Sequence, residues 1–317
     1  MQRIAVIGAG MSGLACASRI SATGAKIEIF DKGRRLGGRL ATRIQDGFAF
    51  NHGAPSFTAI GQEFTRLMAE LLEADSAAKT SMPANEFVGA PHMNDLLGPL
   101  TASHDVYQSV EICALEIKQR SWHLKSVTGS SLGPFDAVAL CIPAPQARQL
   151  IQPFNPEWAV NLDTVCYTPC LTMMVALNDC KQNLKSKIFE SHNVIAKQIR
   201  QSTMNALSSD QTIRLVVHAT PEWSKQNINR EPQEIARDLL KEFLSLNALD
   251  QQRPAFLQAH RWRYAQVKKP LGLTCLWDSK AQFGLAGDWC LGPNVEHAYE
   301  SGITLANKIS SSLLINK

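Results

Sequence analysis

The feature that most constrains the fold of this chain is a glycine pattern close to its start. Gly8, Gly10 and Gly13 form G-x-G-x-x-G, directly after an apolar run and at the beginning of a helical segment. A second apolar run follows that segment and ends at Asp31. Strand, glycine turn, helix and strand within about thirty residues predict a right-handed βαβ unit of the Rossmann type.

Each glycine of such a unit has its own task in binding a dinucleotide. The first permits a tight turn, the second lets the backbone approach a pyrophosphate, and the third lets the helix pack closely on the strand. The N-terminus of the helix predicted at 14–23 attracts the phosphates, and Met11 and Ser12 in the glycine turn before it are candidate FAD contacts. Asp31, about twenty residues downstream, is placed to accept hydrogen bonds from an adenosine ribose. The alternative is a structural turn that binds no ligand.

A second pair of glycines indicates which dinucleotide is bound. The residues after Asp31 read KGRRLGGRL and begin with Lys32. Within them, Gly37 and Gly38 directly precede Arg39. An acid followed by a GGR loop resembles the FAD pyrophosphate site of amine-oxidase-like flavoproteins. The glycines admit close backbone approach, and Arg39 supplies a charge-assisted contact to phosphate. The alternative is a solvated basic loop.

A Gly-Asp dipeptide near the end of the sequence predicts the second half of a flavin cradle. It follows a short strand predicted at 283–286, and a helix is predicted to begin near Asn294. A carboxylate at a strand end can hold a ribityl hydroxyl, and a helix N-terminus can stabilise negative charge on a reduced flavin. The candidate FAD contacts of this region are Gly287, Asp288, Asn294, Val295 and Glu296.

A polar turn at 51–57 is the last candidate for contact with the flavin. Asn51, His52 and Gly53 follow a short apolar run and are expected to pass close to the isoalloxazine ring. For His52 two interpretations remain open, a flavin contact and a hydrogen-bonded structural histidine.

Composition and charge exclude several classes of function. The formal net charge of +4 comes without a dense Lys/Arg block, which argues against a nucleic-acid partner. No apolar stretch reaches the roughly 18 residues of a membrane helix, and the start does not resemble a signal peptide, so a cytoplasmic protein is expected. The eight cysteines form no CxxC pair, so we expect neither a metal site nor a disulfide framework.

The predicted elements do not continue as regular βαβα repeats. Helices are predicted at 61–74, 232–246 and 295–314, and strands at 137–142, 171–177 and 213–219. The fold class is therefore α/β, or α+β overall, with a Rossmann-type FAD-binding domain interleaved with a smaller sheet-containing substrate domain. The FAD-binding domain is placed at 1–60, 101–160 and 270–317, and the substrate domain at 61–100 and 161–269.

Further segments resemble the bacterial renalases, within the amine-oxidase-like FAD superfamily. They are CIPAPQARQLI at 141–151, VVHATPEWSKQNINR at 216–230, AHRWRYA at 259–265 and GDWCLGPNVEHAYESG at 287–302. The resemblance implies a p-hydroxybenzoate-hydroxylase-like architecture with bound FAD. It also implies oxidation of 2- and 6-dihydro isomers of NAD(P) to NAD(P)+, with hydride passing to the flavin and O2 being reduced to hydrogen peroxide. One departure is NHGAPSFT at 51–58, where the family's usual segment resembles DxGAQYFT.

The candidate catalytic residues on the substrate side lie on one predicted strand. Alternation places His260, Trp262 and Tyr264 on the same face, and His218 and Trp223 lie in another segment. These rings are arranged either to frame a planar nicotinamide or to fill an ordinary core, and the sequence leaves both interpretations open.

Three other functions remain possible from the sequence. The chain also fits an amine or polyamine oxidase, a desaturase or protoporphyrinogen-oxidase-like enzyme, and a flavin-binding protein without catalysis. The expected partners are a small-molecule substrate, either a dihydronicotinamide dinucleotide or an amine, and O2. No nucleic-acid or membrane partner is expected, and the oligomeric state is left open.

Overall fold

The fold is described from a computed structural model that covers residues 1–80, 86–201 and 212–315. Its helices are α1 (Met11–Ser21), α2 (Gln62–Glu73), α3 (Ala144–Ile151), α4 (Pro156–Leu162), α5 (Pro221–Asn227), α6 (Pro232–Leu246), α7 (Asp288–Leu291) and α8 (Val295–Ile315). Its strands are β1 (Arg3–Ile7), β2 (Lys26–Asp31), β3 (Thr42–Gln45), β4 (Phe48–Asn51), β5 (Phe57–Thr58), β6 (Ala77–Lys79), β7 (Glu86–Gly89), β8 (Asp105–Gln108), β9 (Ile112–Lys118), β10 (Ser121–Ser126), β11 (Ser131–Phe135), β12 (Ala137–Leu140), β13 (Cys166–Leu177), β14 (Lys187–Ile188), β15 (Ile195–Arg200), β16 (Ile213–Ala219), β17 (Phe256–Lys269), β18 (Leu276–Asp278) and β19 (Phe283–Leu285).

The N-terminal glycine pattern forms the βαβ unit that the sequence predicts. Strand β1 pairs in parallel with β2, and α1 connects them. A Cβ atom on Gly13 would lie 1.8 Å from the carbonyl oxygen of Gly8, so only glycine lets the helix approach the turn this closely. The third glycine therefore has the packing role expected of it.

The βαβ unit belongs to a six-stranded sheet with the order β18-β19-β12-β1-β2-β8. All its neighbouring pairs are parallel except β18–β19, which is antiparallel. Because the parallel strands end at the same edge, Asp31 at the end of β2 and Asp288 after β19 are brought to one side of the sheet. Open α/β sheets bind their ligands at this carboxyl edge.

A second sheet is antiparallel and has five strands in the order β14-β15-β16-β13-β17. One of its faces packs against α5 and α6 through apolar side chains such as Leu171 and Val217. The opposite face carries a separate apolar cluster, in which Phe50 of β4 packs on Met174 and Val216. This alternation follows from the period of two along each strand.

The C-terminal helix α8 packs against the dinucleotide unit. It packs along α1, where a Cβ atom on Gly302 would lie 2.2 Å from the carbonyl oxygen of Ser12. Among the described residues, no helix combines the length and apolarity required to cross a membrane.

The strands of the two sheets come from different parts of the chain. Those of the six-stranded sheet lie within 1–60, 101–160 and 270–317, and those of the five-stranded sheet within 161–269. The domain boundaries themselves stay a prediction. The smaller sheets are β3–β4, β5–β7–β6 and β9–β10–β11, and short 3-10 turns form at Gly38–Leu40, Met93–Leu97 and Pro99–Thr101.

Candidate functional site

A cleft of about 1700 Å³ is lined by residues of both large sheets. The carboxyl edge of the parallel sheet contributes the glycine turn and Asp31, and the antiparallel sheet contributes His218 and His260. Ligand pockets usually measure roughly 300–1000 Å³, so this cleft has room for a dinucleotide and a second molecule.

Gly10 lines the cleft, and the packing of the protein does not require a glycine at this position. A Cβ atom on Gly10 would meet nothing closer than a carbonyl oxygen at 3.9 Å, whereas one on Gly8 would lie 2.4 Å from backbone. Gly8 and Gly13 are therefore required by the fold, but Gly10 is not. Glycine at this position fits a site where a pyrophosphate approaches the backbone.

Asp31 ties the glycine turn to the end of β2. Its carboxylate accepts hydrogen bonds from the backbone N–H groups of Ala9 and Gly33, each at 2.6 Å. Burial raises the pKa of Asp31, although both hydrogen bonds act in the opposite direction. Each oxygen keeps a lone pair for a ribose hydroxyl. Both Asp31 and Lys32 line the cleft, and their contact with the adenosine end stays a prediction.

Arg39 and Asp288 form a bidentate ion pair beside the cleft. Two guanidinium nitrogens of Arg39 donate to the two carboxylate oxygens of Asp288, each at 2.6 Å. Burial works against the charge of Arg39, but Asp288 more than offsets it, so the pKa of Arg39 is raised. Gly37 and Gly38 adopt positive φ values of 116° and 54°, which glycine favours and which shape this loop. Arg39 and Asp288, which belong to the two halves of the predicted flavin cradle, are therefore in direct contact.

Other residues predicted to bind the cofactor also line the cleft. Gly53 lets its loop approach the carbonyl oxygen of Arg39, which a Cβ atom would meet at 2.0 Å. The remaining residues predicted to bind FAD that line the cleft are Met11, Ser12, His52, Gly287, Asn294 and Val295.

Three residues predicted to bind the cofactor, Gly13, Asn51 and Glu296, do not line the cleft. Gly13 has the packing role described above, and the other two have structural partners. The side-chain oxygen of Asn51 accepts hydrogen bonds from the hydroxyl of Thr42 and the backbone N–H of Met93. The buried carboxylate of Glu296 accepts hydrogen bonds from the backbone N–H groups of Ile60 and Gly61 at the start of α2. These contacts hold loops and a helix end in place.

An aromatic cluster of two histidines and a tryptophan forms one wall of the cleft. The ring centroids of His52 and His260 are 4.9 Å apart, and those of His260 and Trp262 are 4.3 Å apart. The indole N–H of Trp262 donates to the carbonyl oxygen of His52 at 3.0 Å. Tyr264 packs against Tyr167 instead, with centroids 5.3 Å apart.

The histidines of the cleft are held neutral. Burial, followed by the charges of His260 and Arg43, lowers the pKa of His52 to about 3. Burial, followed by Arg43 and Arg261, lowers that of His260 to about 4. These imidazoles therefore offer hydrogen-bonding nitrogens and ring faces near neutral pH, but no positive charge.

A lysine and a glutamate that line the cleft were not predicted from the sequence. Lys197 of β15 lines the cleft, and burial lowers its pKa despite the opposing effects of Cys170 and Glu86. Glu86 also lines the cleft and accepts a hydrogen bond from Ser56. Ser56 belongs to the segment that departs from the renalase pattern, and Glu86 lies in the stretch 82–100, which is also short and poor in Trp for that pattern; these two departures were the sequence signals for the region.

Comparisons with known proteins found local similarity in the dinucleotide unit. A family model described as an NAD(P)-binding Rossmann-like domain matches residues 6–71. A 4,4'-diapophytoene desaturase (4,4'-diaponeurosporene-forming) of Staphylococcus haemolyticus (strain JCSC1435) is 48% identical over 50 residues. The corresponding desaturase of Staphylococcus aureus (strain Newman) is 49% identical over 51 residues. Each match covers 16% of this chain and 10% of the relative. The match therefore spans about a tenth of the curated relatives' length.

Two solved structures are similar over nearly the whole chain. A protein assigned as a protoporphyrinogen oxidase of Exiguobacterium sp. 255-15 has a TM-score of 0.73 at 13% identity, covering 98% of this chain and 99% of its own. Cyclohexylamine oxidase of Brevibacterium oxydans IH-35A has a TM-score of 0.75 at 11% identity, covering 99% of both chains. These likenesses confirm the predicted fold class, an α/β fold with a Rossmann-type unit and a second sheet.

Proposed function

We propose that this chain is an FAD-dependent oxidase of dihydronicotinamide dinucleotides. Its substrates are the 2- or 6-dihydro isomers of NAD(P), which lose a hydride and become NAD(P)+. Molecular oxygen takes up the two electrons, together with the hydride's hydrogen and one further proton, so the second product is hydrogen peroxide. The proposal extends the FAD-dependent oxidase fold to one substrate class, which the resemblance to renalases first suggested.

The observation that carries the substrate class is the charge of the cleft. Its basic side chains outnumber its acidic ones, eight to four. The basic ones are Lys32, Arg34, Arg35, Arg39, Arg43, Lys197, Arg261 and Arg263, and the acidic ones are Asp31, Glu86, Glu111 and Asp288. A cleft lined by one sign of charge concentrates ligands of the opposite sign. It therefore favours a dinucleotide with its phosphates over a protonated amine.

The residues that would hold FAD are those whose geometry fits a dinucleotide. Gly10 and Gly38 would leave room for the pyrophosphate, Asp31 would bind the adenosine ribose, and Asp288, paired with Arg39, would lie near the ribityl chain; all five residues line the cleft. When bound, FAD supplies the ring that accepts the hydride. The protein's task is to bind the substrate beside that ring and orient it.

Orientation is the main contribution that the described side chains offer. His260 and Trp262 present ring surfaces against which a planar nicotinamide can lie. Hydride transfer requires close approach of the reacting atoms, roughly 3–3.5 Å, and needs little acid-base catalysis. Neutral histidines are compatible with this requirement, since they do not repel the nicotinamide cation formed by oxidation.

Anaerobic flavin bleaching with a panel of donors tests the proposal. The panel contains 2-, 4- and 6-dihydronicotinamide dinucleotides together with cyclohexylamine and a polyamine. Fast bleaching by the 2- or 6-isomers, followed by stoichiometric peroxide once air is admitted, is the expected result. Bleaching by amines alone would replace the proposal with an amine oxidase, and bleaching by no donor would favour a flavin-binding protein without catalysis.

A further inference from the structure

A lysine of the antiparallel sheet lines the cleft at a distance from the aromatic cluster. Lys197 of β15 is opposite His218 of β16, which is opposite Thr172 of β13. Thr172 is in turn opposite His260 of β17. Residues that are directly opposite on neighbouring strands share a face of the sheet. Lys197 therefore lies on the same face as His260, and both residues line the cleft.

A β-bulge gives Lys197 this orientation. Ile195 is opposite Ala219 and packs on the helix side of the sheet, but the register shifts by one residue before Lys197. Without the extra residue Ala196, strict alternation would place Lys197 on the helix side together with Ile195. Bulges that redirect a side chain in this way are common next to functional sites, so the bulge indicates a task for Lys197 in the cleft.

The ammonium group of Lys197 has no partner within the described part of the chain. It forms neither an ion pair nor a hydrogen bond there, and protein atoms do not seal it from the cleft. Glu86, the acid that acts on Lys197 electrostatically, accepts a hydrogen bond from Ser56 instead. Because an ammonium group has three N–H donors and a positive charge, Lys197 can bind an anion in the cleft.

The strand order sets the distance between Lys197 and the predicted flavin cradle. Strand β17 lies beside the cradle, because Arg39 donates a hydrogen bond to the carbonyl oxygen of Ala265 at 3.4 Å. Strand β15 lies three strand spacings from β17. At about 4.8 Å per spacing, the backbones of His260 and Lys197 are about 14 Å apart, and the lysine side chain spans part of this distance. A ring at His260 and an anionic group at Lys197 can therefore belong to one ligand.

We propose that Lys197 binds the phosphate next to the nicotinamide riboside of the substrate. The inference rests on the proposed function, since it names the charged group by which that substrate is held. With the nicotinamide against the rings of His260 and Trp262, the ribose fills the space between the ring and the phosphate. The phosphate supplies the counter-charge that Lys197 lacks, and such charge-assisted hydrogen bonds are among the stronger ones. A protonated amine would be repelled by the same ammonium group.

Calorimetric titration of the oxidised holoenzyme with two matched ligands tests this contact without turnover. The ligands are nicotinamide mononucleotide and nicotinamide riboside, which differ only in the phosphate. Wild type should bind the mononucleotide roughly tenfold to hundredfold more tightly, because hydrogen bonds to charged groups contribute a free energy of that size. Lys197→Met should lower the affinity for the mononucleotide by the same factor and leave the affinity for the riboside unchanged.

Three further variants show whether the charge of Lys197 is the cause. Lys197→Arg keeps a cation and should retain most of the preference for the mononucleotide. Glu86→Gln removes the nearby negative charge but keeps an acceptor for Ser56, so it should tighten binding of the mononucleotide. Lys187→Met is the matched control, because Lys187 is exposed on the neighbouring strand β14 and does not line the cleft. It should change neither affinity.

Several results would overturn the contact between Lys197 and this phosphate. Equal losses for both ligands in Lys197→Met would show a general change in the cleft, and an unchanged preference would show that Lys197 does not touch the phosphate. A loss confined to discrimination between NADP+ and NAD+ would assign Lys197 to the 2′-phosphate instead. Failure of wild type to bind the mononucleotide would also refute the contact.

The outcomes also distinguish the phosphate contact from the proposed function. If Lys197→Met loses the preference for the mononucleotide but no dihydro isomer bleaches the flavin, the contact stands and the oxidase proposal falls. If the 2- or 6-isomer bleaches the flavin but Lys197→Met keeps the preference, the oxidase stands and the contact falls.

Discussion

At the residue scale, Asp288 balances the charge of Arg39 next to the cleft. The side chain of Asp288 is 4% exposed and that of Arg39 is 31% exposed, so removing the carboxylate leaves a largely buried cation without its partner. We expect Asp288→Asn to lower the free energy of unfolding by about 3 kcal/mol and to reduce the flavin content of the purified protein. Urea denaturation and the flavin-to-protein absorbance ratio measure the two effects.

A surface ion pair supplies the control for this variant. Arg148 and Asp163 are 2.6 Å apart, but Asp163 is half exposed. Because solvent screens such pairs, Asp163→Asn should cost less than about 1 kcal/mol and leave the flavin content unchanged. Full flavin content in Asp288→Asn would contradict the placement of the cradle.

Substitutions at Gly10 and Gly13 distinguish a glycine required for ligand binding from one required for folding. Gly10→Ala has space for its Cβ atom and an ordinary extended backbone, so the protein without flavin should keep its stability. Gly13→Ala would drive a Cβ atom into the backbone of Gly8 and should cost about 1–3 kcal/mol or more. Flavin content and thermal unfolding of the two variants give the comparison. Gly10→Ala with a full complement of flavin would argue against a pyrophosphate at this turn.

The buried histidines make the stability of the protein depend on pH. Burial lowers the pKa of His52 and His218 to about 3, from 6.5. Between these values the unfolded chain binds protons that the folded chain excludes. The free energy of unfolding should therefore be highest above about pH 6.5 and fall on acidification, by about 1.4 kcal/mol per pH unit for each histidine. Urea unfolding between about pH 7 and pH 5 should show a shallower slope in His218→Gln, and an unchanged slope would contradict this account.

At the element scale, the contact between α1 and α8 positions the turn that begins at Gly8. Gly302→Ala would bring a Cβ atom to 2.2 Å from the carbonyl oxygen of Ser12, so α8 must move away from α1. We expect a loss of about 1–3 kcal/mol in stability together with weaker retention of flavin during dialysis. Ser311→Ala on the exposed side of the same helix is the matched control and should affect neither quantity. Equal flavin retention in both variants would show that α8 does not position the turn.

The elements that sequence patterns predicted well are those with local signals. The βαβ unit has its glycines and its acid, and α6 was predicted at its observed bounds because its apolar side has a clear helical period. Lys197 was missed because no strand was predicted at 195–200, and the one-residue bulge at Ala196 reverses the face that strict alternation would assign there. A bulge of this kind has no composition signal of its own. The pairing of Arg39 with Asp288 joins residues 249 apart, and no local period reports such a contact.

At the scale of the whole molecule, the excess of positive charge is concentrated in the cleft. The formal net charge is only +4, yet eight basic and four acidic side chains line one cavity. Composition alone therefore predicted no particular affinity for anions, since the concentration of charge arises only when the two sheets are brought together.

That concentration of charge predicts a specific dependence on salt. The second-order rate constant for flavin bleaching by a dihydro-NAD(P) isomer should fall about tenfold between low ionic strength and about 0.5 M salt, because screening weakens steering of the phosphates into the cleft. A dihydronicotinamide with only a methyl group on its ring nitrogen has no phosphate and should react with little salt dependence. Stopped-flow bleaching of one enzyme preparation by both donors isolates the phosphates as the cause. Equal salt dependence for the two donors would mean that the basic residues act on the protein or its flavin, and the argument from charge to an anionic substrate would then fail.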